Sequence, residues 1–259
     1  MLGKLIKYEI KATARTFLPV YMVLILFAVI NSFMSFNPDS FSVPQFITLT
    51  LYILILVGMF VASLIVMIQR FYKNLLSEEG YLMFTLPVKP YKHIISKLLI
   101  SIMWMVSSSI VAILSIIIIS LQEISLFEYF VAFGRAWNMA YSAHGASFYH
   151  FLIQMAVGFI ISMVSSILLI YASIALGQLS NNHKILASIG AFLGIYTITQ
   201  IISGILFIGP DGQGFIYTLT QLPSIPFTLI WLAIAISAVF ATIYFIITNL
   251  ILNKRLNLE

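Results

Sequence analysis

Six long apolar runs decide what this chain can fold into. They cover roughly residues 17–35, 46–68, 94–119, 151–174, 185–208 and 227–252, and none carries Asp, Glu, Lys or Arg away from its ends. About 20 consecutive apolar residues cross the hydrocarbon core of a bilayer as a helix. Backbone groups in lipid must satisfy one another, and a continuous run does this only as a helix. A membrane barrel would instead show short alternating segments. The expectation is an all-α polytopic membrane protein with six transmembrane helices. Composition agrees: 61% of the 259 residues are hydrophobic and 8% are charged. A soluble domain carries about 25% charged residues, so this chain could not cover a water-facing globule.

Lys and Arg in the short connections orient the spans, because they collect on the cytoplasmic side. Twelve of the 13 fall in one alternating set: Lys4, Lys7, Lys11, Arg15, Arg70, Lys73, Lys89, Lys92, Lys97, Lys184, Lys254 and Arg255. The other set holds only Arg135. Both termini are therefore expected in the cytoplasm and the chain in the plasma membrane. The net charge of +5 reads as orientation and contact with anionic lipid, with no nucleic acid implied. The charged opening and a following run without a cleavage site do not read as a signal peptide.

Residues 1–16 read as an interfacial elbow helix. At 100° per residue, Lys4, Lys7, Lys11 and Arg15 share one arc and Leu2, Ile6, Ile10 and Phe17 lie opposite, so the basic face meets the membrane surface. The segment is expected to feed into the first span near Pro19. Residues 121–150 and 209–226 are expected to be extracellular. The first has interfacial aromatics such as Trp137, Tyr141 and Tyr149; the second is apolar but rich in Gly and Pro.

The longest cytoplasmic segment, 69–93, carries the most information. Gly80 suits a helix stop, and Pro90 suits a helix start. Between them Tyr81-Leu82-Met83-Phe84 is apolar, flanked by Glu78 and Glu79 on one side and Lys89 and Lys92 on the other. An apolar patch on a charged rim is the composition of a docking surface. The alternative is that these side chains dip into the inner leaflet.

The stretch 4–15 (Lys-Leu-Ile-Lys-Tyr-Glu-Ile-Lys-Ala-Thr-Ala-Arg) and the stretch 70–87 (Arg-Phe-Tyr-Lys-Asn-Leu-Leu-Ser-Glu-Glu-Gly-Tyr-Leu-Met-Phe-Thr-Leu-Pro) resemble permease subunits of type-2 ATP-binding-cassette (ABC) exporters from Gram-positive bacteria. The resemblance implies a six-helix half-transporter with an N-terminal elbow and a coupling helix between spans two and three. Glu78, Glu79, Gly80, Tyr81, Met83 and Phe84 would lie in or beside that helix, which docks an ABC ATPase subunit present in two copies. A second permease subunit, the same or related, would complete the membrane part. The family also implies re-entrant helices between spans five and six, which 209–226 fits only loosely.

Several chemistries have no residues to carry them. The chain lacks a Gly-x-x-x-x-Gly-Lys-Ser/Thr phosphate loop, so ATP and Mg would be bound by the partner and the chain itself is no enzyme. No mid-membrane charge supports a proton-coupled carrier or voltage sensor. The absence of cysteine excludes disulfides and thiolate chemistry. Glu78-Glu79 lacks the partners of a glutamate protease, and His144 and His150 are too far apart for a helical metal pair, so no catalytic, cofactor or metal residues are expected. Gly190 and Gly194 form a Gly-x-x-x-Gly step for helix packing within the chain or at the seam between two halves. Ser107, Ser108 and Ser109 serve close packing similarly. The expected function is an ATP-driven exporter of an amphiphilic substrate such as an antimicrobial peptide or drug. A non-transporting receptor, immunity or assembly protein is the alternative.

Overall fold

Continuous apolar sequence becomes continuous helix throughout a computed structural model of the chain. It describes residues 2–34, 42–76, 89–121, 124–180, 183–206 and 227–254. Seven helices account for nearly all of these: α1 (Leu2–Ser32), α2 (Val43–Leu76), α3 (Pro90–Ser120), α4 (Leu126–His144), α5 (Ser147–Gly177), α6 (Lys184–Leu206) and α7 (Phe227–Lys254). No strand occurs among the described residues. All but α4 are long and apolar enough to cross a membrane, and each overlaps one of the six runs read from the sequence. The protein is an all-α, multi-pass membrane protein.

The helices overshoot the runs that nucleate them. α1 and α3 have 31 residues each, roughly 46 Å at 1.5 Å per residue, against a hydrocarbon core of about 30 Å. Tilt within the bilayer or projection beyond it accommodates the excess. Pro90 is the first residue of α3, as its fixed φ and missing N–H favour.

The segment expected as an elbow runs on without interruption into the first span, as one helix over residues 2–32 with Pro19 inside it. Pro19 removes the N–H that would bond the carbonyl of Arg15. That break falls at the last residue of the basic face, where polar surroundings can satisfy the carbonyl. The amphipathic pattern persists: Lys7, Lys11 and Arg15 are exposed, while Glu9, Thr13 and Phe17 are buried.

Residues 121–150 also gain structure that hydropathy does not reveal. α4 begins afresh after α3. Ser125 Oγ accepts from the Glu128 N–H at 3.3 Å, and Glu128 Oε2 accepts from the Ser125 N–H at 2.8 Å, a reciprocal cap. It ends at Gly145, whose φ of 56° and ψ of −137° lie where only glycine is unstrained.

The chain divides into two compact units, Met1–Gln69 with Ile95–Gly145, and Arg70–Ile94 with Ala146–Glu259. In the first, Phe17, Tyr21, Leu24 and Ala28 of α1 form a core with Tyr52 and Met59 of α2 and Ile100, Trp104 and Ala112 of α3. In the second, α5 packs on both α6 and α7.

Candidate functional site

The first unit is held by a ladder of polar and aromatic contacts between α1 and α3. Lys97 pairs with Glu9, and both side chains are buried. Thr13 donates to the Glu9 carbonyl at 2.8 Å and accepts from Trp104 Nε1 at 2.7 Å. Phe17 stacks on Trp104, with centroids 4.4 Å apart and planes within 8°. The Tyr21 and Ser108 hydroxyls share a hydrogen bond of 2.8 Å. Partners advance together along both helices, so α1 and α3 are parallel. α2 runs against them: Asn31 Nδ2 donates to the Thr48 carbonyl at 3.3 Å, and Tyr52 meets Ser115 at 2.8 Å. Since Ser115 donates to the Ala112 carbonyl at 2.8 Å, Tyr52 is the donor to Ser115.

This arrangement puts the start of α1 and the start of α3 at one end of the unit. The exposed basic face, Lys7, Lys11 and Arg15, is at that end. Its fourth member, Lys4, belongs to the same helix. Lys97, drawn from sequence as a flanking residue, is instead a buried member of the helix interface.

The second unit anchors both flanks of the segment between spans two and three. Phe71, Leu75 and Leu76, in the last turns of α2, are buried, as are His93 and Ile94 at the start of α3. Phe71 stacks on Tyr171 of α5 at 4.0 Å and 8°, with both rings fully buried. Around Tyr171, α5 is buried almost without interruption from Ile167 to Ala175. Tyr171 and Phe71 were not singled out from sequence, because aromatics are common throughout this chain. The expected docking residues Glu78, Glu79, Gly80, Tyr81, Met83 and Phe84 lie outside the described residues, as does 209–226.

Farther along this unit, Gln154 Nε2 donates to the Phe227 carbonyl at 2.8 Å, tying α5 to the first residue of α7. Thr199 and Tyr244 hydroxyls meet at 2.6 Å between α6 and α7. A Cβ on Gly177 would stand 2.6 Å from Ser188 N and 2.7 Å from Ser188 Cα. Backbones therefore touch at Gly177, which lies outside the Gly-x-x-x-Gly step. At Gly190 and Gly194 a Cβ would meet no described atom within 4 Å. Of the expected serine triplet, Ser108 is the buried one.

Among the described residues no three His, Asp or Glu side chains stand close enough to hold a metal ion. No family model, curated protein or solved structure matches the chain.

Proposed function

We propose that the chain is the membrane-spanning permease half of an ATP-driven exporter. It would act with a second permease subunit, the same or related, and with two copies of a separate ABC ATPase docked on residues 78–84. In this reading both termini face the cytoplasm, and the membrane is the plasma membrane. The carrying observation is the double anchoring of the docking segment. Phe71, Leu75 and Leu76 before it and His93 and Ile94 after it are buried, with Phe71 locked face to face on Tyr171. A force applied between these anchors would be passed to the ends of α2 and α3 and, through Phe71 and Tyr171, to α5. That is the mechanical requirement for coupling, since close-packed interiors transmit displacement and switch between discrete arrangements.

ATP binding would draw the two ATPases together, and each loop would carry that movement into its spans. Nucleotide thereby biases an equilibrium between inward- and outward-open states. The basic face of α1 would sit at the anionic inner leaflet.

α6 supports a two-subunit arrangement. No part of its apolar window is buried within the chain, yet Gly190, Gly194 and Gln200 are exposed on it. The Gln200 amide donates to Tyr196 at 3.0 Å. An amide facing lipid is costly, and small residues mark close helix approach. Both favour a second subunit or a water-lined path beside α6. The apolar helices and the family resemblance favour an amphiphilic substrate such as a peptide or drug.

The test is purification of the tagged chain from its native membrane in mild detergent. A phosphate-loop ATPase should co-purify with the wild type and be lost from Tyr81→Asp and Phe84→Asp. Retention of the ATPase by those variants, or a wild-type chain that exports substrate with no ATPase present, would overturn the reading.

A further inference from the structure

We propose that α4 is an in-plane membrane anchor, its aromatic face seated among the lipids of the leaflet in which the third span ends. The inference is independent of the exporter reading. No side chain of this 19-residue helix is buried by protein. Phe127, Phe130 and Phe133 are 76%, 75% and 67% exposed. At 100° per residue they gather with Leu126, Trp137 and Tyr141 on one side. Glu128, Arg135, Asn138 and Ser142 occupy a separate stripe. Val131 lies within that stripe and Met139 at its far edge, while Tyr129 with Ala132, Ala136, Ala140 and Ala143 makes up the remainder. An aromatic face beside a charged stripe is the pattern of a helix lying in the interface, where rings with polar tips such as Trp and Tyr prefer to sit.

Placement identifies the occupant as lipid. Tyr129 bonds Ser120, the last residue of α3, at 2.5 Å. This pins the second turn of α4 beside the end of a span. Ile110, Ile113, Leu114 and Ile116 on the same half of α3 are exposed apolar residues of the kind that hydrocarbon solvates. The lipid-facing surface of α3 thus leads directly to α4. At the other end only Gly145 and Ala146 separate α4 from the next span, about 7 Å of extended chain. A helix roughly 28 Å long, tethered so closely at both ends, cannot lift its rings far from the bilayer. Arg135 on the polar stripe is exposed and within reach of lipid phosphates. An anchor of this kind holds the end of the third span at a fixed depth.

The absence of native cysteine makes the test clean. Single variants Phe127→Cys, Phe130→Cys, Tyr141→Cys, Arg135→Cys, Asn138→Cys and Ser142→Cys are spin-labelled. Each is then reconstituted in phosphatidylcholine–phosphatidylglycerol vesicles. Collision with oxygen, which concentrates in lipid, is compared with collision with a water-soluble nickel chelate. Oxygen should dominate at 127, 130 and 141 and nickel at 135, 138 and 142, giving a helical alternation. Nickel access at 127 and 130 would overturn the proposal. So would loss of the alternation, or shielding from both reagents with dipolar broadening, the mark of a second copy covering the face.

Discussion

The buried Glu9–Lys97 pair makes a sharp energetic prediction. Glu9 is seven residues into α1 and Lys97 seven into α3, so each lies about 10 Å from its helix start. The parallel packing brings them to one level. Both side chains are nearly solvent-free, at 9% and 4% exposure. Glu9→Gln or Lys97→Met alone breaks the buried pair by removing one of its members, which should cost about 3–5 kcal/mol. Replacing both, as Glu9→Leu with Lys97→Met, removes desolvation and attraction together and should fall between neutral and mildly stabilising. The double variant should therefore be more stable than either single one, a coupling far outside the roughly 0.5 kcal/mol expected of independent sites. The measurement is reversible unfolding by SDS titrated into mild-detergent micelles, followed by Trp104 fluorescence with Trp137 and Trp231 replaced by Phe. Trp104 hydrogen-bonds Thr13, one turn beyond Glu9, so it reports on this interface directly. Single variants within about 0.5 kcal/mol of wild type, or a double variant as unstable as the sum, would refute the account.

Four further outcomes follow from the local packing. Gly177→Ala should abolish the folded yield, because the new methyl meets Ser188 backbone. Gly190→Ala, with open space around it, should leave the monomer unharmed or stabilise it by up to about 1 kcal/mol; size-exclusion yield in detergent reads both. Trp104→Phe should keep the stack on Phe17 but lose the bond to Thr13, at about 1 kcal/mol in an SDS titration followed by near-ultraviolet circular dichroism. Tyr171→Leu should remain folded, losing about 0.5–1.5 kcal/mol of aromatic pairing, and should still bind the ATPase. ATP hydrolysis would then continue in vesicles while substrate movement falls, whereas loss of ATPase binding would show that Tyr171 shapes the docking site itself.

The spans were legible because lipid imposes a single rule, and each run obeys it over more than four helical turns. Helix ends were less legible. Hydropathy marks where hydrocarbon stops, while hydrogen bonding carries a helix onward, so α5 runs from Ser147 to Gly177, past both ends of the run 151–174. α4 escaped for a related reason. Its side chains serve water and lipid on different faces, so it forms no apolar run, and only the Ser125–Glu128 spacing announced its start.

The α1–α3 interface shows what a closer reading could have extracted. Glu9 falls about 140° from Lys4 on the helical wheel, among Leu2, Ile6 and Thr13 rather than beside the lysines it neighbours in sequence. A carboxylate on an apolar face needs a buried partner. Lys97, three residues inside an apolar run, is the cation on a span expected to be parallel to the first. Those two anomalies predict each other without coordinates. The Phe71–Tyr171 stack leaves no such trace, since two apolar rings in apolar surroundings violate nothing. Misplaced charges can thus be found from sequence in a membrane protein, whereas contacts between apolar rings require the fold. That asymmetry makes the ion pair the most informative test of the helix arrangement, and Tyr171 the most informative test of how movement at the docking loop reaches the spans.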